Sequence, residues 1–380
     1  MRKTGIPRKG IEARENENAG ASGKRKNRPP EDPEALMDIR IVNPLEFPGW
    51  DDALLSMENH SIFHSSHWAR ALVEAYGYTP LYFSAIQAGK LMALIPVMEV
   101  NSIVTGRRGV SLPFTDCCEP LALDQGSLGD LNEALIQYGR SAGWRSMEWR
   151  GGGNLFPGEK ISSSFYTHTI LLPGEEDELA SGLRSSTRRN IRKAQKEGIE
   201  VSVSRSWDSV QAFFRLNCIT RKHHGLPPQP MQFFKKVFEH IISRDKGIVV
   251  LGRHRRQVIS GCMYLHFGKN AIYKYGASDR RFQNLRANNL VMWEGLRWYQ
   301  TRGFRCLSLG RSEPENEGLL QFKRGWNGRE ELLPYHRLDM SRNRYIEARI
   351  GTGGAVTKIL RNAPIPVLRL IGAAVYRHVG

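Results

Sequence analysis

No stretch of the 380 residues comes near the roughly 18 to 20 uninterrupted apolar residues that a bilayer-spanning helix needs, and the N-terminus is basic and polar, without the apolar run of a secretory signal. The chain is therefore expected to stay in the cytoplasm. Cysteine is scarce: Cys117 and Cys118 are adjacent, and Cys218, Cys262 and Cys306 stand alone in apolar contexts. That pattern excludes a disulfide framework. Adjacent cysteines also lack the two-residue spacer of a structural zinc site, so no metal is expected. Acidic residues are the third shortage. Asp and Glu number 38 against 55 Lys and Arg, a formal net charge of +17, and no acid follows Glu347. A field of that sign favours polyanions: nucleic acid, anionic lipid or phosphate-bearing small molecules.

What is present is the composition of a folded enzyme, 40% apolar with 37 glycines and 8 tryptophans, at a length that suits two domains better than one. Residues 1–35 are set apart by scattered Lys and Arg with almost no large apolar residues, closing on Pro29, Pro30 and Pro33, and read as a disordered basic tail.

The remaining chain repeats one grammar. Two extended runs, 81–86 and 91–100, flank Ala88-Gly89-Lys90 as a hairpin; an irregular stretch over 106–123, a helix over 128–141 and a strand over 144–149 follow. In the second half the runs 248–251, 258–267 and 271–276 form a three-strand meander. A helix over 286–301 stops at Gly303, and a strand over 304–309 follows. Between the halves, 185–198 reads as a charged helix ending at Gly198. A further helix starts near Asp208, whose side chain suits a cap, and another spans 232–243. The expected fold is α/β of the α+β kind: two similar domains, 36–170 and 171–345, each a mixed, mostly antiparallel sheet flanked by helices.

Several runs carry a family resemblance. RRNIRKA at 188–194, TRKHHGLPPQP at 220–230, YKYGAS at 273–278 with Trp293-Glu294, and LLQFKRGW at 319–326 resemble Fem-type transferases of the GNAT superfamily. With HSSHW at 64–68 and SLPFTD at 111–116, they are more narrowly similar to the Fem-like GNAT proteins of bacterial exopolysaccharide systems. The resemblance implies a pair of GNAT-like domains and transfer of an acyl or aminoacyl group, from acyl-coenzyme A as co-substrate or from aminoacyl-tRNA, to an amine of a cell-envelope or exopolysaccharide precursor. A rival reading from charge alone is a non-catalytic nucleic-acid-binding protein, which a sizeable core without a recognised nucleic-acid module disfavours.

Acyl transfer to an amine needs a donor site for phosphates, a base for the ammonium and hydrogen-bond donors for the developing oxyanion. Where GNAT enzymes hold coenzyme A pyrophosphate on a glycine-rich helix N-terminus, this chain reads RFQNLRANN at 281–289, without the glycines. Arg281, Gln283, Asn284 and Arg286 are the expected cofactor-binding residues, with a solvated helix start as the alternative. Asp116, His223, Tyr275 and Asp279 are the expected catalytic residues, against readings as a turn carboxylate for Asp116, a loop histidine for His223 and a half-buried strand face for Tyr275. Arg311, Glu313 and Lys323, after the last core strand, are expected to bind the acceptor or its phosphate. The basic face of Arg184, Arg188, Arg189, Arg192, Lys193 and Lys196 meets either an anion or water.

The C-terminal segment 346–380 is amphipathic, with Lys358, Arg361, Arg369 and Arg377 among Ile and Val residues. Two readings stand: peripheral contact with the inner face of an anionic membrane, or a closing helix on the second domain. Pro364 and Pro366 predict that any continuous helix begins only near Val367.

Overall fold

The computed structural model describes residues 37–124, 126–347 and 354–380. The predicted basic tail, 1–35, and Arg349 lie outside the described residues. The first half runs β1 (Asp38–Val42), α1 (Trp50–Leu55), α2 (Ser66–Tyr76), β2 (Thr79–Gln87), β3 (Lys90–Ser102), β4 (Gly106–Val110), β5 (Leu121–Ala122), α3 (Gly126–Ser141), β6 (Ser146–Arg150) and β7 (Ser163–Leu171). The second continues with α4 (Glu176–Ser181), α5 (Ser185–Lys196), β8 (Glu200–Ser204), α6 (Trp207–His223), α7 (Met231–His240), β9 (Gly247–His254), β10 (Gln257–Phe267), β11 (Asn270–Ser278), α8 (Ala287–Gln300), β12 (Cys306–Ser312), α9 (Glu317–Arg324), β13 (Arg329–Asp339) and β14 (Arg344–Tyr345), then α10 (Gly354–Asn362) and α11 (Ile365–Val379).

The repeated grammar is realised in the pairing. β2, β3 and β4 form an antiparallel meander, α3 crosses over, and β6 returns parallel to β4. β9, β10 and β11 do the same, α8 crosses over, and β12 returns parallel to β11. Two strands that the sequence pattern does not announce, β7 and β13, join the halves. β13 leaves the second half to pair with β6, and β7 leaves the first to pair with β12, so the strands run β4-β6-β13-β7-β12-β11 through the middle of one 14-stranded sheet. Helices on both faces bury apolar clusters around Trp68, Trp149 and Trp326, each wholly inaccessible to water.

The expected charged helix over 185–198 forms as α5, preceded by the separate short helix α4. Two local expectations are corrected. The cap of α6 is Ser206, whose hydroxyl accepts from the Ser209 amide, rather than Asp208. And α11 begins at Ile365, not Val367: Pro364 is its N-cap and Pro366 sits in its first turn, where a proline forfeits no hydrogen bond.

α11 packs on the protein. Leu368, Gly372 and Tyr376, spaced four apart, share its inward face. Leu368 is fully buried, and the Tyr376 hydroxyl accepts from Arg221 (2.7 Å) and donates to the Pro227 carbonyl (3.2 Å). Contact is closest at Gly372, where an added Cβ would lie 2.0 Å from the Pro228 carbonyl oxygen. Gly372→Ala must push the helix off a backbone atom, and we expect a loss of about 1–3 kcal/mol, read as a lower melting temperature. An unchanged melting temperature would mean that α11 contributes nothing to the fold.

Candidate functional site

β11 and β12 are hydrogen-bonded neighbours over only three pairs, Asn270–Cys306, Ala271–Leu307 and Ile272–Ser308, after which they part. Two irregularities force the separation. In β11 a bulge leaves Lys274 without a partner on β10, so Tyr273 packs beside Tyr264 on one face and Tyr275 beside Phe234 on the other. In β12 the register with β7 slips between Ser308 and Arg311, with Gly310 at φ +67°. The parted strands open a cavity of about 910 Å³, the size of site that takes a small-molecule ligand.

Its walls carry the starts of three helices. Ser186 and Thr187 of α5, Ala287 to Asn289 of α8, and Gly318 and Leu319 of α9 all line it. Free amides and the positive dipole ends of helices favour an anion at such a place. The loop before α8 makes its tight turn without glycine: Arg286 itself adopts the left-handed conformation, φ 59° and ψ 24°. That conformation costs a residue with a Cβ about 1–2 kcal/mol. The turn thus sets a guanidinium at the helix start. Arg286 and Arg184 are both exposed at the cavity, and neither side chain has a hydrogen-bond or ion-pair partner among the described residues. A neighbouring pocket of about 430 Å³, sharing His224, Ser278 and Asp279 with the cavity, adds Lys222, Arg280 and Arg361.

On the opposite wall the first half of the chain reaches in. Asp116 follows two non-glycine residues at positive φ, Leu112 (52°) and Phe114 (61°), and its carboxylate lies 2.9 Å from the Lys274 ammonium. Tyr335 donates to the Asp116 carbonyl oxygen. The Lys274 side chain is 5% exposed and lies over the Tyr275 ring (4.9 Å) and the Phe63 ring (5.4 Å). Burial pulls its ammonium below the ordinary lysine value, and Asp116 opposes that shift. Lys323 is also buried and donates to the carbonyls of Gly310 and Arg311, both at 2.9 Å. Desolvation lowers its pKa to about 8, with Asp116 and Glu313 holding it from falling further. The Arg311 guanidinium stacks 4.3 Å from the Phe165 ring and donates to the Tyr335 hydroxyl.

Asp116, Asp279, Gln283, Arg286, Arg311 and Lys323 are thus brought to one cavity. Asp279 is already engaged: it caps the turn through the Arg281 amide and binds the Arg281 side chain at 2.6–3.1 Å, which holds its carboxyl below the ordinary value. That makes it an anchor of the turn. Tyr275 is not among the lining residues; its hydroxyl donates to Gln229 at 2.7 Å, and burial pushes its pKa well up, away from a base. His223 lines the neighbouring pocket with Arg281, while His224 reaches both spaces. Burial and the cations Arg280, Arg221 and Arg361 lower His224 and leave it neutral at neutral pH. Asn284 and Glu313 are exposed outside the lining. Burial first, then the Glu119 and Asp116 carboxylates, raise the Cys117 thiol, which removes it as a ready thiolate. Glu74, Glu239 and His240 are close enough to share a cation, but the Lys236 ammonium lies 2.8 Å from both carboxylates. Lys274 is the site residue that sequence reading passed over. Its signal is a charge between two tyrosines on a strand that is otherwise apolar.

Residues 181–324 match the acetyltransferase (GNAT) domain family. No curated protein sequence matches the chain. Among solved structures the chain is similar to FemX, with a TM-score of 0.61 and 13% identity over 78% of this chain and 97% of that one. It is also similar to a tandem GNAT protein from the clavulanic acid biosynthesis pathway (TM-score 0.53, 8% identity, 80% and 99% covered). A conserved protein of unknown function from Bacteroides thetaiotaomicron matches at TM-score 0.53 and 10% identity, with 80% and 99% covered. At such identities the likeness speaks of fold, and it agrees with the duplicated meander, helix and parallel strand. Residues 181–324 thus match the acetyltransferase (GNAT) domain family, and the fold of the chain is that of a tandem pair of GNAT-like domains.

Proposed function

We propose that the protein is an N-acyltransferase that moves an acyl group from a phosphate-bearing donor to an amine of a cell-envelope or exopolysaccharide precursor, in the cavity between β11 and β12. The observation that carries this reading is the meeting, in one cavity, of an anion-receptive wall and a wall with a carboxylate and two desolvated lysines. Acyl-coenzyme A is the proposed donor. Its phosphates would rest on the α8 start and on Arg286, with Gln283 beside them, and it supplies an activated thioester carbonyl. Asp116 takes the proton that the acceptor ammonium must lose, while Lys323 stabilises negative charge developing on the carbonyl oxygen. The C–N bond forms as the C–S bond breaks, and coenzyme A leaves as its thiol with the proton that the attacking nitrogen sheds. Arg311, held flat between Phe165 and Tyr335, orients an anionic group of the acceptor. A lipid-linked acceptor would bring the protein to the inner face of an anionic membrane.

A second donor, aminoacyl-tRNA, is favoured by one feature: Arg189, Arg192, Lys193 and Lys196 of α5 are exposed on the helix whose start carries Arg184 at the cavity. Mass spectrometry of products formed from acetyl-coenzyme A, longer acyl-coenzyme A species and charged tRNA, each with an amino sugar acceptor, separates the two. Transfer from charged tRNA alone would replace the proposed donor, and transfer from none would remove the activity.

Arg286→Gly tests the donor wall. Relief of about 1–2 kcal/mol of left-handed strain offsets the greater unfolded-state freedom of glycine, so the melting temperature should stay near the parent value. Coenzyme A binding, by calorimetry, should weaken about tenfold through loss of a charge-assisted contact. Unweakened binding would take Arg286 out of the donor site.

Lys323 gives activity and stability opposite pH slopes. Its ammonium is required for oxyanion stabilisation, so kcat should fall as pH rises through about 8. The unfolded chain, where this lysine returns to 10.5, binds more protons between about 8 and 10.5, so the Lys323 contribution makes the fold more stable as pH rises through that window. Lys323→Met should remove the alkaline limb of the rate profile and flatten that part of the stability profile. An alkaline limb that survives in Lys323→Met belongs to another group.

A further inference from the structure

The β3–β4 hairpin ends in a turn where polar residues are usual, yet Ile103 is 97% and Val104 68% exposed. The turn is fixed. The Ser102 hydroxyl accepts from the amides of Val104 (3.1 Å) and Thr105 (3.0 Å), so the two aliphatic side chains are held out in water on a rigid tip. The tip is tied to the end of α11: Ser102 bonds His378 at 3.0 Å, Thr105 donates to the His378 carbonyl at 3.2 Å, and Arg108 donates to the same carbonyl at 3.0 Å.

The helix so attached leaves its own outward face apolar and basic. With Leu368, Gly372 and Tyr376 turned inward, helical spacing puts Val367, Leu370 and Arg377 on the opposite face, where Leu370 is 73% exposed and Val367 44%. Val379, beside the tip's anchor His378, is 57% exposed. The charge there is of one sign: Arg369 and Arg377 are exposed on α11, Lys358 and Arg361 on the preceding helix α10, and no acid follows Glu347. No helix among the described residues is long and apolar enough to cross a membrane. A rigid aliphatic tip beside a one-sided, acid-free basic helix matches the two components of interfacial binding, shallow apolar insertion and attraction to anionic headgroups.

We propose that Ile103 and Val104 insert into the surface of an anionic bilayer, with the outward face of α11 lying alongside. The inference rests on the proposed function only for its setting, and it stands or falls separately from transfer chemistry. The test is flotation of the full chain with vesicles of equal parts phosphatidylglycerol and phosphatidylcholine, and with phosphatidylcholine alone. The parent protein should float with the anionic vesicles and much less with the neutral ones. Ile103→Asp with Val104→Asp should lower partitioning about tenfold or more while the melting temperature and transfer to a soluble amine stay at parent values. Leu370→Asp should weaken flotation in the same direction. Flotation unaffected by the double substitution would overturn the proposal, as would failure of the parent to float. So would a parent dimer in solution that the double substitution makes monomeric without any lipid binding, since the patch would then face a second copy of the chain.

Discussion

Lys274 is a lysine held away from water, and the arrangement of the site follows from keeping its charge. An ammonium with 5% of its side chain exposed must have an opposite charge in contact, because a buried ion left alone costs several kcal/mol. Its partner does not come from its own half of the chain. Asp116 is delivered from the first half through a segment that sets Leu112 and Phe114 in left-handed conformations, each costing of order 1–3 kcal/mol. Tyr335, on the exchanged strand β13, fixes the backbone of Asp116 and holds Arg311 in place. The ion pair therefore needs the bulge in β11, the strained loop of the first half and the strand exchange together.

That dependence explains why two GNAT-like units share one continuous sheet. In each unit the strands that flank the crossover helix pair in parallel for only three residues. In the first, Arg150 turns back to donate to the carbonyls of Leu112 and Thr115, and so ties the same loop that carries Asp116. In the second, the parting between β11 and β12 stays open and is lined by helix starts. One unit thus furnishes a side chain and the other the space it enters.

Much of this was legible in order and little in contact. The meanders, crossover helices and return strands follow from alternation, glycine stops and a doubled grammar, and the sequence placed most of the lining residues near the second crossover. β7 and β13 were not legible, because a strand like REELLPYHRLD, buried at some positions and exposed at others beside exchanged neighbours, lacks clean alternation. The placement of Tyr275 away from the cavity was not legible for a definite reason: a strand without a bulge would put Tyr273 and Tyr275 on one face, and the unpaired Lys274 sends them to opposite faces. The tight turn before α8 was not legible either, because no glycine announces it and Arg286 takes the left-handed conformation there. The β3–β4 tip was not legible, since two aliphatic residues at the end of a long apolar strand look like more of the strand.

We propose Asp116 as the proton acceptor in a cavity that belongs mainly to the other half of the chain. Removing Asp116 alone would strand the Lys274 charge, so the informative comparison is made in a Lys274→Met background, where the carboxylate stands by itself. Single-turnover transfer by Lys274→Met should remain within about tenfold of the parent, and adding Asp116→Asn should slow it a further 10²–10⁴-fold, roughly what loss of a general base costs, with donor affinity unchanged. Equal transfer rates with and without Asp116→Asn would show that the proton leaves by another route.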